Sequence, residues 1–160
     1  MIRAVRFHWL RLLRLKDQPQ SVAGGFALGV IIGCIPFFGI QSVLALSFAV
    51  LLRINKVACL IGSVWTNPVT AIPVYWTNYR IGLWFTGRDG VSFERFTEML
   101  GEGSHTGLLD LGEDLFVPLG IGCGLAALVL SPLSYLVVLQ GLKFRQAQRR
   151  AKARNAARQE

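Results

Sequence analysis

The fold is decided by residues 21–52, which read SVAGGFALGVIIGCIPFFGIQSVLALSFAVLL and contain no Asp, Glu, Lys or Arg. A helix of that length in water would carry charges on its outer face at every turn, so this face is predicted to meet hydrocarbon. Two more uncharged segments follow, residues 57–79 and 115–142. The 160 residues are 52% apolar and 16% charged, which excludes a disordered chain. The sequence therefore predicts an all-α integral membrane protein.

Proline interrupts the first uncharged segment near its middle. Pro36 removes a backbone hydrogen bond and Gly39 gives the backbone freedom to turn, with Gln41 directly after them. Residues 22–52 are therefore predicted to form two short helices, a broken or re-entrant hairpin. A helix of ~14 residues is ~21 Å long, which is too short to cross a hydrocarbon layer of ~30 Å.

A second break interrupts residues 57–87, which are predicted to form a broken crossing of the membrane. Each backbone group without a hydrogen-bond partner costs several kcal/mol of free energy in hydrocarbon. A broken segment is therefore stable only when it is buried in protein or lines a wet cavity. Paired segments interrupted by proline are typical of a membrane binding or transport site. The predicted ligand-binding or structural residues of the two breaks are Pro36, Gly39, Gln41, Thr66, Asn67, Pro68, Thr70 and Pro73.

Residues 115–142 are long enough to form a full transmembrane helix. Small residues spaced four apart let helices approach closely in lipid, where no hydrophobic attraction holds helices together. Predicted packing positions of this kind are Gly25, Gly29 and Gly33 in the first segment and Gly120 and Gly124 in the last.

Residues 1–17 are predicted to form a cationic amphipathic helix on the lipid surface. Arg3, Arg6, Arg11 and Arg14 share one broad arc, and Trp9 lies opposite, at the level of the headgroups. Anionic lipid headgroups are therefore an expected partner. Recurrent arginines and the lack of an uninterrupted apolar core argue against a signal peptide, and the interleaved Leu and Trp argue against nucleic-acid binding.

The distribution of charge predicts the orientation in a bacterial inner membrane. The amino-terminal arm, the turn at residues 53–56 and the basic helical tail at residues 143–160 carry Lys and Arg, which favour the cytoplasmic side. Both termini are therefore predicted to be cytoplasmic. Residues 88–114 hold two basic and seven acidic residues, a balance of 2 − 7 = −5, and are predicted to be an extracytoplasmic loop.

Two topologies of the membrane domain, residues 18–142, follow from this charge pattern. In the first, residues 22–52 enter and leave on the cytoplasmic face, residues 57–87 cross outwards and the last segment returns. In the second, the first segment crosses and the second is re-entrant, which requires residues 53–56 to lie outside.

No catalytic constellation is found in the sequence. His8 and His105 are far apart and are predicted on opposite sides of the membrane. Cys34, Cys59 and Cys123 each stand alone, without His, Asp or Glu at ligand spacing, so no metal site and no cofactor are predicted. The chain is not expected to be an enzyme.

Two short motifs occur in a fixed order along the chain, Pro36-x-x-Gly39-x-Gln41 and then Asn67-Pro68-x-Thr70, with Leu52-Arg53-Ile54-Asn55-Lys56 between them. Together they resemble the bacterial membrane family catalogued as domain of unknown function 2062. The resemblance covers residues 19–87, with the last apolar segment as the family's final membrane helix. It implies no settled activity. Some relatives are joined to glycosyltransferase domains, which hints at work on envelope lipids or polysaccharides.

Two functions are expected from these observations. In the first, a small multi-pass inner-membrane protein encloses a polar pocket between its broken segments and binds or transports a lipid-linked or other anionic small molecule. In the second, the protein is a membrane scaffold without transport activity that holds a partner in envelope biogenesis, for example a glycosyltransferase. Because one chain can scarcely shield two broken segments, a homo-oligomer or a membrane-protein partner is expected.

Overall fold

The computed structural model describes residues 17–35, 40–64, 66, 68–101 and 112–156. These residues form six helices and their connecting turns, which confirms the predicted all-α class. By length and composition one helical stretch among them, Leu115–Arg149, is long and apolar enough to span a membrane. The helices are α1 Pro19–Cys34, α2 Gln41–Leu51, α3 Lys56–Ser63, α4 Pro68–Thr86, α5 Phe93–Gly101 and α6 Gly112–Ala156.

The first uncharged segment forms two short helices, as predicted. Helix α1 has 16 residues and begins with a proline, whose missing N–H costs nothing in a first turn, and α2 has 11 residues. After α2 the chain returns to the start of α1, where the Asn55 N–H donates to the Ser21 carbonyl at 3.3 Å. The return passes through Arg53, which has a left-handed φ of 53°. Pro36 and Gly39 lie outside the described residues.

Helix α3 packs against α1 and runs parallel to it. A Cβ at Gly29 would collide with the Cys59 carbonyl oxygen and lie 2.8 Å from the Ser63 nitrogen, and one at Gly25 would collide with the Asn55 carbonyl oxygen. The approach is reciprocal, since a Cβ at Gly62 would collide with the Phe26 carbonyl oxygen. At these positions only glycine lets the two backbones touch.

Helix α6 runs antiparallel to α4 along its first half and to α1 along its second. In the first half a Cβ at Gly82 would collide with the Pro118 carbonyl oxygen, and one at Gly122 with the Asn78 carbonyl oxygen. In the second half Val138 and Leu142 form a buried cluster with residues of α1 and α3, namely Val22, Ala23 and Ala58. A single continuous helix thus contacts both halves of the structure and continues into the basic tail, ending at Ala156.

Gly120 and Gly124 make no close helix contact within the described chain, so their predicted packing role stays a prediction. Both glycines are exposed, and a Cβ at either one would have no atom within 4 Å. The glycine that packs is Gly122. Two residues along a helix correspond to a rotation of about 200°, so Gly122 faces α4 while Gly120 and Gly124 face away from it.

The second break is shorter than predicted. Helix α3 ends at Ser63 and α4 begins at Pro68, so Pro68, Thr70 and Pro73 lie within α4. Pro68 stands at the first helical position, where proline is favoured. Pro73 leaves one carbonyl without its usual helical partner, and this carbonyl belongs to the first turn of α4, where the cost of an interruption is smallest.

Large apolar side chains cover the outside of the described structure. On α2 the exposed ones include Val43, Leu46, Val50 and Leu51. On α6 they include Leu128, Val129, Leu133, Leu136 and Val137. Monomeric proteins in water rarely expose apolar areas larger than a few hundred Å². This surface is therefore suited to hydrocarbon.

We expect Gly122→Ala and Gly124→Ala to differ in the sign of their effect on stability. The first methyl group would force α4 away from α6 at the Asn78 carbonyl and is expected to lower stability by about 1–3 kcal/mol. The second enters open space and removes a glycine from a helix, so stability should be unchanged or higher by up to about 1 kcal/mol. Thermal unfolding in detergent measures both. Equal melting temperatures for the two variants would contradict this packing.

Candidate functional site: a polar clasp and an apolar groove

A group of polar contacts ties the two broken segments together. The side chain of Gln41, at the start of α2, is only 9% exposed. Its Nε2 donates to the Ser63 carbonyl at 2.6 Å and lies 3.3 Å from both the carbonyl and the hydroxyl oxygen of Thr66. The amide thus joins the beginning of one helix to the end of another across more than twenty residues of sequence.

Thr66 and Tyr75 complete this arrangement by capping the end of α1. The Thr66 hydroxyl donates to the Gly33 carbonyl at 2.6 Å, and the Tyr75 hydroxyl donates to the Ile35 carbonyl at 3.2 Å. These carbonyls belong to the last turn of α1 or follow it directly, where no intrahelical partner exists. We call Gln41, Thr66, Tyr75 and the carbonyls that they bind the polar clasp.

The chemistry of the polar clasp is that of a helix cap. Its donors are an uncharged amide and two hydroxyls, and each is directed at a backbone carbonyl of this same chain. A buried carbonyl without a partner costs about 1–3 kcal/mol, so these bonds stabilise the interrupted helices. The described donors are used within the fold and present no anion site.

A cavity lies beyond the clasp, between the end of α1, α4 and α6. It has a volume of about 560 Å³ and is open on one side. We call it the apolar groove. It is lined by Cys34, Pro73, Val74, Thr77, Asn78, Ile81, Leu125, Ala126, Val129 and Leu130.

Polar groups in the wall of the groove are bonded within the protein. The Asn78 amide, 5% exposed, donates to the Cys123 sulfur at 3.4 Å, and the Thr77 hydroxyl donates to the Pro73 carbonyl at 2.8 Å. The groove therefore offers an apolar surface to a ligand, of the kind that fits a hydrocarbon chain.

The structure brings some of the predicted break residues together and leaves others apart or undescribed. Gln41 and Thr66 meet in the clasp, Pro73 lines the groove, and Thr70 is half-buried in the first turn of α4. Pro68 begins α4. Outside the described residues lie the break residues Pro36, Gly39 and Asn67 and the lipid-surface residues Arg3, Arg6, Trp9, Arg11 and Arg14.

Sequence reasoning missed several residues of this site. Tyr75 and Asn78 stand out only as aromatic or polar residues in an apolar segment, which does not reveal the carbonyl or sulfur that each binds. The role of Asn55 as the cap of α3 was not predicted either. Its Oδ1 accepts from the Ala58 N–H at 2.7 Å and its Nδ2 donates to Asp17. The Asn before an apolar helical stretch was the available signal for this cap.

Within the described residues no three His, Cys, Asp or Glu side chains come together as a metal site would require. The described cysteines Cys34, Cys59 and Cys123 are buried and unbridged. The site consists of helix caps and an apolar groove.

Replacement of Gln41 by Leu tests the clasp. The variant leaves the Ser63 and Thr66 carbonyls without this donor, and we expect the free energy of unfolding to fall by about 1–3 kcal/mol, measured by thermal unfolding in detergent. Ser42→Leu is the matched control, because Ser42 is the next residue of α2 and is exposed. Equal melting temperatures for the two variants would show that the hydrogen bonds of Gln41 do not stabilise the break.

Comparison with known proteins agrees with the resemblance found in the sequence. The model of a family described as uncharacterized protein conserved in bacteria (DUF2062) matches residues 2–151, which extends the resemblance beyond residues 19–87 in both directions. No curated protein and no solved structure shows a significant match. With a match over nearly its whole length, this chain belongs to the DUF2062 family of bacterial proteins.

Proposed function

We propose that this protein crosses the bacterial inner membrane with α6 and with the α3–α4 pair, while the α1–α2 hairpin enters from one face and turns back near the middle. The dimensions support this arrangement. From Pro118, which meets Gly82, to Leu142, which meets the start of α1, the helix α6 extends about 36 Å, close to a hydrocarbon layer of about 30 Å. Helix α1 ends at Cys34, which lines the groove with Leu130, about halfway along this length.

Charged residues mark the two ends of this apolar region. Arg53, Lys56 and Lys143 are exposed at the end where α1 begins, and Arg80 and Arg88 are exposed at the far end of α4. The more basic end belongs on the cytoplasmic side by the positive-inside rule. In the proposed topology the hairpin lies in the cytoplasmic half of the bilayer and the groove in the outer half, and both termini are cytoplasmic.

The groove carries the functional proposal. The hairpin ends near the middle of the bilayer, and beyond it α4 and α6 form a pair with an apolar cavity that is open on one side. A cavity of this character in hydrocarbon is filled by an apolar chain rather than by water. We therefore propose that the protein binds a membrane lipid with its acyl chain in the apolar groove.

The polar clasp has a supporting role in this proposal. It holds the tip of α1 against α3 and the start of α4, and this tip forms the inner end of the groove. The scaffold hypothesis is the second candidate. The polar clasp supports this hypothesis too. Its hydrogen-bond donors bind carbonyls of the same chain, which suits a rigid frame that holds a partner on its surface and takes no ligand into the break.

Filling the groove tests lipid binding. Ala126 lines the groove, and Ala126→Trp is expected to displace the acyl chain and to lower the phospholipid retained after purification by about one molecule per chain. Native mass spectrometry from detergent measures the retained lipid. Leu128→Trp is the control, because Leu128 lies on the same helix but is 72% exposed and does not line the groove. Equal lipid retention by the two variants would favour the scaffold.

Labelling of single cysteines tests the topology in a chain whose three native cysteines are replaced by Ala. Arg53→Cys, Gln148→Cys and Ser92→Cys place a thiol at exposed positions on the two ends. We expect a membrane-impermeant maleimide to label Ser92→Cys in intact spheroplasts and the other two only after permeabilisation. Labelling of Arg53→Cys from outside would support the second topology, in which the first segment crosses.

A further inference from the structure

A second cavity lies at the far end of α4. It has a volume of about 360 Å³ and is formed between the last two turns of α4 and the segment that follows this helix. It is lined by Arg80, Leu83, Trp84, Arg88, Asp89, Gly90 and Val91. We call it the terminal cavity.

The wall of the terminal cavity is held in place by its own contacts. The chain reverses at Gly87, which has a left-handed φ of 65°, and folds back against α4. The Val91 N–H then donates to the Tyr79 hydroxyl at 3.0 Å, and a Cβ at Gly90 would collide with Leu83. The cavity is therefore a built feature of the fold.

The charges of the terminal cavity suit a phosphate group. Two guanidinium groups, of Arg80 and Arg88, line it together with one carboxylate, of Asp89. Arg80 also lies over the ring of Trp76, with Cζ 5.9 Å from the ring centre, which limits its positions. Arginine binds phosphate oxygens through paired N–H groups and is less strongly hydrated than lysine.

The terminal cavity and the apolar groove adjoin along α4. Ile81 lines the groove, and its neighbours Arg80 and Trp84 line the terminal cavity. Thr77, Ile81 and Trp84 have the spacing of one helix face, so the face that begins in the groove ends at the terminal cavity. Trp84 is 84% exposed at this point, and tryptophan favours the level of the headgroups in a bilayer.

We propose that the terminal cavity binds the phosphate of a phospholipid headgroup, held by Arg80 and Arg88, while an acyl chain of the same lipid occupies the apolar groove. This inference rests on the proposed function and names its ligand class. Free inorganic phosphate offers the same oxygens, but the adjoining groove favours a phosphate that is attached to a hydrocarbon chain.

The experiment compares three probes on the full chain in detergent. Dioleoyl phosphatidylglycerol carries phosphate and acyl chains, dioleoylglycerol carries the same chains without phosphate, and inorganic phosphate carries no chain. Native mass spectrometry measures the binding of both lipids, and inorganic phosphate is added as a competitor. We expect the wild type to bind the phospholipid about tenfold more tightly than dioleoylglycerol. Millimolar inorganic phosphate should not displace it.

Arg80→Gln isolates the headgroup contact. The variant should bind the phospholipid about tenfold less tightly than the wild type, and it should bind dioleoylglycerol with unchanged affinity. The phospholipid affinity of Arg80→Lys should lie between those of Arg80→Gln and the wild type. Arg95→Gln is the control, because Arg95 is exposed at the same end and does not line the cavity. Thermal unfolding of each variant shows whether the fold is intact, and Arg88→Gln gives an independent second variant.

The outcomes separate this inference from the groove itself. If the two lipids bind equally to the wild type and both are lost in Ala126→Trp, the groove stands and the headgroup site is wrong. If Arg80→Gln weakens phospholipid binding and Ala126→Trp does not, the headgroup site stands and the groove is wrong. Equal effects of Arg80→Gln and Arg95→Gln, or displacement of the phospholipid by inorganic phosphate, would overturn the lipid-phosphate proposal.

Discussion

The fold depends on how interrupted helices satisfy their own backbone. Where α1 and α3 end, carbonyl groups have no partner in their helix, and burial within the fold leaves no water to replace it. Gln41, Thr66 and Tyr75 supply the missing donors, and each lies on a different part of the chain from the carbonyl that it satisfies. These bonds join the two breaks at the place where α1, α3 and the start of α4 meet.

Close approach of the helices is the second condition for this arrangement. Glycines at 25, 29 and 62 let α1 and α3 touch through their backbones, and those at 82 and 122 do the same for α4 and α6. Small residues therefore line these helix contacts, large side chains such as Tyr75, Tyr79 and Phe96 fill a buried cluster beside them, and other large apolar side chains are exposed on α2 and α6. Dispersion contacts between the closely approaching backbones stabilise these helix pairs.

The sequence predicted the helices better than it predicted the contacts between them. Pro36 predicted a division of residues 22–52, because proline interrupts a helix locally, and the structure has two short helices in this range. Gln41 and Thr66 were both predicted as break residues, but nothing local shows that one donates to the other. The choice among Gly120, Gly122 and Gly124 also depends on which face of α6 meets α4. The four-residue spacing pointed to Gly120 and Gly124, whereas Gly122 is the one that meets α4, because spacing on one helix says nothing about the position of its neighbour.

The sequence by itself determined the all-α class, the division of residues 22–52 into two short helices, the uncharged lengths and the charged ends, because each is set by residues within a few positions of one another. Only the tertiary structure decided that Gln41 reaches Ser63, that Gly122 faces Asn78, and that a groove opens between α4 and α6 beyond the end of α1. These features arise from contacts between residues far apart in the chain. Packing of whole helices selects such contacts, and local periodicity carries no information about them.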